Sequence, residues 1–252
     1  MRNIKLVIEY DGTDYCGWQV QPNGITVQQC INDALGKIEG SNVSVTGAGR
    51  TDSGVHARGQ TANFFTQSRI PAEKYRDALN SLLPETIRIV SSTNVSDDFN
   101  ARFSAKRKTY KYRIRNSAVA SALTCRYEYH CPGRLDIELM KRACAYYVGE
   151  HDFNAFMASG SAVKDTVRTV FDAHLDVYMP EIVFSVTGNG FLYKMVRFMV
   201  GTLLDIGKGK YEPEYIMMLL EPSNNLKAVS AAPAKGLTLE SIEYESSGNG
   251  AI

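Results

Sequence analysis

The chain has 252 residues, 44% hydrophobic and 22% charged, with a formal net charge of +1, which excludes a disordered or fibrous polypeptide and leaves room for one large domain or two modest halves. Five cysteines, an odd number with no C-x-x-C pair, exclude a disulfide framework and a zinc ribbon, and the four histidines lack H-E-x-x-H spacing, so no metal is expected. The start of the chain carries no apolar block and no small-residue cleavage site, which points to a chain retained in the cytoplasm.

Residues 4–10 alternate as a strand, and Thr26 with Gln29 forms a capping box ahead of Val27, Ile31, Ala34, Leu35 and Ile38 at helical spacing. Residues 43–46 and 60–66 read as strands on either side of a glycine-rich loop. Pro71 opens a helix carrying Tyr75, Ala78, Leu79 and Leu82, and residues 86–95 return as a strand. This βαββαβ order predicts a ferredoxin-like unit, an antiparallel sheet with helices on one face.

In the second half, residues 109–115 and 126–130 read as strands, 136–148 as a helix, and 167–178 with 182–187 as a hairpin around Pro180. Residues 191–206 are greasy, yet Lys194, Arg197 and Asp205 interrupt them, so they predict a buried helix and not a membrane span. Residues 213–220 read as a helix and 237–244 as a closing strand. The expected fold is α+β, with two similar ferredoxin-like or RRM-like halves, residues 1–104 and 105–252. A largely antiparallel sheet across both would leave a basic cleft between them, a common place for a ligand.

The charge is unevenly spread. Residues 1–100 hold nine Lys or Arg against eleven Asp or Glu, whereas residues 101–252 hold nineteen against sixteen. Between residues 99 and 127 there is no acid at all, while eight Lys or Arg accumulate from Arg102 to Arg126. Alternation places Tyr110, Tyr112 and Ile114 on one face of that strand and Lys111, Arg113 and Arg115 on the other, one face suited to stacking and the other to phosphates.

The loop 47–60 carries the candidate chemistry. Its four glycines between residues 47 and 59 let the backbone approach a partner closely or take positive φ, and they frame Asp52 between Arg50 and Arg58. By spacing alone, D-S-G is also ordinary turn chemistry. A dinucleotide loop is excluded, because the third glycine is missing and the following residues 60–66 alternate as a strand. A zinc deaminase is excluded too, since His56 is followed by Ala57 and Arg58 and no P-C-x-x-C follows.

Residues 49–60, GRTDSGVHARGQ, resemble the catalytic loop of the tRNA pseudouridine synthase A family. Similar segments recur in the family's order along nearly the whole chain: YDGTDYCGWQVQ (10–21), ARFSAKRKTYKYRI (101–114), HDFNAFMASG (151–160), GFLYKMVRFMVGTLLDIGKG (190–209) and APAKGLTLESIEY (232–244). Asn100 and Met157 depart from the family's frequent His and Arg.

The resemblance implies an isomerase that converts uridine to pseudouridine in the anticodon stem-loop of tRNA, acting as a homodimer without a cofactor. It implies Asp52 as nucleophile, attacking C6 of uracil or C1′ of ribose. Arg197 is the expected cation that keeps the carboxylate ionised, although a surface charge is the plainer account of that residue. Tyr110 is expected to pack on the target uracil and help remove the C5 proton; an ordinary core tyrosine is the alternative. Arg58 is the candidate for extruding or replacing the base, and Arg50, His56 and Lys194 are further substrate contacts. Two rivals from other classes fit less well. A passive RNA-binding module would carry the aromatic RNP signature, which is missing, and an aspartyl phosphatase would want D-x-D-x-T/V where DGTDY stands.

Overall fold

The structure is a computed structural model that describes residues 1–160, 163–224 and 226–245. Its elements run in the order β1 (Arg2–Tyr10), α1 (Val27–Glu39), β2 (Thr46–Gly47), β3 (His56–Thr66), α2 (Lys74–Asn80) and β4 (Ile87–Val95). There follow β5 (Ala105–Arg115), β6 (Tyr129–His130), α3 (Ile137–Ala145), β7 (Gly149–Asp152), β8 (Val167–Tyr178) and β9 (Glu181–Gly188). The remainder is α4 (Met195–Gly207), α5 (Tyr215–Leu220) and β10 (Leu237–Tyr244). These form two compact units, residues 1–108 with the stretch from 239 onward, and residues 109–238. Where the sequence suggests one crossing near residue 104, the chain leaves the first unit after 108 and returns to it at 239.

The first unit keeps the expected βαββαβ order, with strands arranged β4-β1-β3-β10 and β2 also paired to β3. β1 runs antiparallel to both β3 and β4, with Ile4 opposite Phe64 and Tyr10 opposite Ala57. On that face Phe64 meets the ring of Tyr75 from α2 edge-on at 5.2 Å, and Ile4, Leu6, Ile8 and Tyr10 are buried. α1 begins as its capping box predicts, Thr26 Oγ1 accepting from the Gln29 amide at 3.3 Å, and ends on Gly40 in the left-handed region.

In the second unit the strand order is β5-β9-β8-β7, and β8 and β9 form the expected antiparallel hairpin. Helices α3 and α4 pack against each other, and α3 lies on β8. Tyr147 anchors this core: its ring meets Phe156 edge-on at 5.5 Å, and its hydroxyl donates to the Met199 carbonyl at 3.0 Å. The greasy stretch is buried helix, as expected, with Met199, Val200, Leu203 and Ile206 fully covered. No helix among the described residues is long and apolar enough to cross a membrane.

Several boundaries differ from the sequence reading for local reasons. The strand expected at 43–46 shrinks to Thr46–Gly47, because α1 satisfies the preceding backbone instead: Asn32 Oδ1 accepts from the Val45 amide and Gln28 Nε2 donates to the Val45 carbonyl. The strand expected at 126–130 is only Tyr129–His130, paired parallel to β5; the residues before it form a turn in which Tyr127 donates to the Thr124 carbonyl. β3 starts at His56 and not at 60. Ala57 pairs with Tyr10 beyond a register shift in β1, which extends the ladder back to His56, and Gln60, Thr61 and Asn63 are buried within the strand. The helix expected from 191 starts at Met195, and α3 stops at Ala145 before the short strand β7.

A buried amide pair fixes the segment that leads into β5. Asn63 Nδ2 donates to Asn3 Oδ1 at 2.9 Å, Asn3 Nδ2 donates to the carbonyls of Ser96 at 2.9 Å and Phe99 at 2.8 Å, and the Ala101 amide donates to Asn63 Oδ1 at 2.9 Å. Removing one amide strands several buried partners. Asn63→Leu should therefore lower unfolding stability by about 2–4 kcal/mol in urea titration, since each buried group left unsatisfied costs roughly 1–3 kcal/mol. A change under about 0.5 kcal/mol would show that the network is not under tension from burial.

Candidate active site

The loop that carries Asp52 is the connection between β2 and β3, and its base is closed on both sides. The Ala48 amide donates to the Thr61 carbonyl at 2.8 Å, Gln60 Nε2 donates to the Gly49 carbonyl at 2.8 Å, and Lys108 Nζ donates to the Ala48 carbonyl at 2.8 Å. Beyond it, the Val55 amide donates back to the Asp52 carbonyl at 3.1 Å, and Gly54 takes a φ of 76° within that turn, a conformation that favours glycine.

The tip is held from outside by residues 10–18, the segment that leaves β1. Because Tyr10 lies opposite Ala57 in the β1/β3 register, this segment emerges beside the loop. The Tyr10 hydroxyl and Thr51 Oγ1 share a buried hydrogen bond of 2.8 Å, and burial pushes the Tyr10 phenol far above its ordinary pKa, so it stays protonated. The Trp18 amide donates to the Thr51 carbonyl at 3.1 Å, and Ser53 Oγ donates to the Tyr15 carbonyl at 3.1 Å. Residues 51 and 53 are thus tied on each side of Asp52, whose own side chain is half-buried.

This approach is close enough to demand glycine. A Cβ on Gly17, where φ is 82°, would lie 2.5 Å from the Thr51 carbonyl oxygen, and one on Gly12 would lie 2.0 Å from that of Val55. The Trp18 indole fills the space under Gly47, 2.4 Å from where a Cβ would stand. Tyr10, Gly12, Gly17 and Trp18 lie in the family-like segment 10–21, but the sequence reading gave them no part in the site. The available signal was a pair of glycines among aromatics in a stretch that is neither helix nor strand.

The other residues of the first unit fall into distinct places. Arg50 is exposed at the loop's entrance. His56 is buried, its Nδ1 accepting from the Gly12 amide at 3.1 Å beside Asp11 Oδ1 at 3.1 Å, so it joins the segment 10–18 to the start of β3. Arg58 is exposed, with a long 3.9 Å ion pair to Glu240 that contributes little.

In the second unit Tyr110 is 8% exposed and meets Phe191 edge-on at 5.3 Å; the expected alternation of Tyr110, Tyr112 and Ile114 is seen in their burial. Lys194 falls within the helix expected at 191–206 but precedes the one observed: it is the N-cap of α4 in a left-handed conformation, φ 59°, with Nζ 5.0 Å from the Tyr193 ring centroid. Arg197 is half-buried in the first turn, its Nε donating to the Ala232 carbonyl at 2.7 Å while the Ala232 amide donates to the Arg197 carbonyl at 2.9 Å. One turn further along, a Cβ on Gly201 would stand 1.9 Å from the Ser230 carbonyl oxygen, so α4 and residues 230–232 are in backbone contact.

The basic face of β5 is partly engaged within the protein. Arg113 Nε lies 3.4 Å from Glu181 Oε1, Arg115 Nε lies 3.8 Å from the buried carboxylate of Glu128, and Lys108 is tied to the Asp52 loop. Among the described residues, no group of three or more His, Cys, Asp or Glu is arranged to hold a metal ion.

A family model described as tRNA pseudouridine synthase matches residues 6–104 and 143–245. The chain is 50% identical over 244 residues to tRNA pseudouridine synthase A of Caldicellulosiruptor saccharolyticus, covering 97% of this chain and 100% of that one. It is similar over the same shares to tRNA pseudouridine synthase A 2 of Clostridium perfringens, at 48% identity, and to tRNA pseudouridine synthase A of Acetivibrio thermocellus, at 48%.

Gly17→Ala should loosen the loop, because the methyl must displace the backbone of Thr51. The expected result is a stability loss of about 1–3 kcal/mol and faster hydrogen exchange at the Trp18 amide. Protection equal to that of the unaltered chain would show that the close approach does not hold the loop.

Proposed function

Because this chain belongs to the tRNA pseudouridine synthase family, we propose that it isomerises uridine to pseudouridine in the anticodon stem-loop of tRNA, with Asp52 as the nucleophile. The observation that carries this reading is the clamped loop: Thr51 and Ser53 are tied to residues 15–18 and Tyr10, leaving the half-buried carboxylate between two fixed flanks. Fixing a nucleophile before substrate arrives lowers the entropic part of the barrier, which is what a glycosidic isomerisation with no external reactant requires.

In the proposed sequence the carboxylate attacks C6 of uracil or C1′ of ribose, and the bond from N1 to C1′ breaks. The base turns and C5 bonds to C1′; the Asp52–C1′ bond breaks as C5 displaces the carboxylate, or the Asp52–C6 bond breaks by elimination after C5 has bonded, the C5 proton leaves and N1 takes up a proton. Atoms and electrons balance with no oxidant, reductant or donor. Tyr110 is assigned to stack on the uracil and assist loss of the C5 proton. Arg197, with its own Nε fixed on a backbone carbonyl, is assigned to keep the carboxylate charged, since a carboxylate removed from water favours its neutral form unless a cation opposes this. Arg50, Arg58 and Lys194 are assigned to RNA contacts, while the burial of His56 favours a part in carrying the loop.

The resemblance supports tRNA as the partner and a homodimer as the assembly, which light scattering of the purified chain tests; an odd number of cysteines with no C-x-x-C pair suits free thiols in a reducing cytoplasm, the proposed place of action.

Tritium release from tRNA labelled at uridine C5 tests the central claim. The unaltered chain should release tritium without added metal or nucleotide, and a folded Asp52→Ala variant should lose on the order of 10⁴-fold or more in rate. Release by neither, on unmodified tRNA that the chain binds, would favour a passive RNA-binding protein. Affinity for tRNA should also fall as salt rises, with a log–log slope set by the number of phosphates neutralised. A flat salt dependence between low and moderate salt would remove the basic run from RNA binding.

A further inference from the structure

Phe103 is 78% exposed, on a turn that is anything but loose. Asn100 Oδ1 accepts from the amides of Arg102 at 2.9 Å and Phe103 at 3.2 Å, the Ser104 amide donates to the Asn100 carbonyl at 2.9 Å, and Ser104 Oγ accepts from the Asn100 amide at 3.1 Å. Beneath the turn, Ala101 is fully buried and its amide bonds Asn63, so the turn stands on the same amide pair that fixes the unit's sheet. The Arg102 guanidinium carbon lies 5.5 Å from the Phe103 ring centroid. That cation occupies one face of the ring and leaves the other to solvent.

An exposed aromatic ring held rigidly, with a cation on its far face, suits an unpaired nucleic-acid base better than an apolar protein surface. Every base has a π face to stack, and the guanidinium adds a cation–π contribution and attraction to the neighbouring phosphate. The surrounding charge agrees: Lys106 and Arg107 follow at once, and no acid occurs between residues 99 and 127. Lys106 does meet Glu245 at 2.8 Å, but that pair is exposed and is readily exchanged for a phosphate. By contrast, the exposed side chains of Leu123 and Val119 offer no ring to stack a base.

The position also fits. β5 begins at Ala105, and Lys108 on it reaches the Ala48 carbonyl at the root of the Asp52 loop. The five residues from Phe103 to Lys108 span about 17 Å at roughly 3.3 Å per residue, a distance that a few nucleotides of single strand can cross.

We propose that Phe103, backed by Arg102, is a stacking platform for an unpaired base of the RNA substrate, a few nucleotides from the uridine that enters the Asp52 loop. The proposal rests on the RNA-modifying function above and adds a second point of contact for the same substrate.

The test compares the unaltered chain with Phe103→Ala, Phe103→Trp and Arg102→Gln, using direct titration of unmodified tRNA and tritium release. Because the ring is exposed, its removal leaves the core intact, which thermal unfolding checks. Phe103→Ala should weaken tRNA affinity and raise KM about tenfold while kcat changes little; Phe103→Trp should restore affinity, and Arg102→Gln should lie between. Affinity unchanged in Phe103→Ala overturns the platform. So does loss of affinity accompanied by a halved mass in light scattering, which would assign the ring to contact with a second copy of the chain. If the unaltered chain releases no tritium yet still loses RNA affinity on Phe103→Ala, the isomerase reading falls and the platform stands.

Discussion

The arrangement depends first on the contact between residues 10–18 and the tip of the Asp52 loop. Two carbonyls of the loop, those of Thr51 and Val55, come so near to Gly17 and Gly12 that no side chain fits between them. Within that contact lie the Tyr10 to Thr51 hydrogen bond and the Trp18 to Thr51 backbone bond. Loops rich in glycine are costly to order, because glycine loses more freedom on folding than any other residue. Here the ordering is supplied by the strand that begins the chain. β1 delivers Tyr10 to the loop's edge through its pairing with β3, so sheet register and loop geometry are the same constraint.

The second unit uses a similar device around Arg197. A long, flexible side chain is a poor positioning element until some of its donors are fixed, and the Nε bond to Ala232 removes that freedom. The backbone of residues 230–232 can reach Arg197 because Gly201, one turn along α4, leaves no side chain in its way. The same C-terminal stretch is tied to β5, where the Tyr112 hydroxyl donates to the Pro233 carbonyl at 2.9 Å and the Tyr112 ring lies against Gly236. Tyr110 and Tyr112, alike in the sequence pattern, therefore differ in office. Tyr112 ties β5 to residues 233–236, and Tyr110, two residues earlier, packs edge-on against Phe191.

Charge behaves differently from what a count along the chain implies. The acid-free run from 99 to 127 looks like a uniform RNA-binding stripe, but Arg113 and Arg115 face glutamates distant in sequence, and Lys108 holds a loop carbonyl. Lys106 in turn meets Glu245, and Arg102, at the start of the run, stands on the exposed turn that carries Phe103.

Much of this was legible in the amino-acid sequence. The capping box at Thr26, the period-two pattern of β1 and the hairpin of β8 and β9 depend on neighbours in the chain, and local rules describe them well. The glycine-framed Asp52 and the motifs in their order identified the family, because the chemistry of such a site needs particular residues at particular spacings. Tertiary structure alone decided what depends on distant partners. It extended β3 back to His56 and buried polar residues within it, and let α1 side chains take over the backbone of Val45. It placed Lys194 ahead of α4 and not within it. It also brought Gly12 and Gly17 against the Asp52 loop and left Phe103 exposed on a turn fixed from below. Those features arise from close approach and hydrogen bonding between residues far apart in sequence, and periodicity, which compares only near neighbours, carries no record of them.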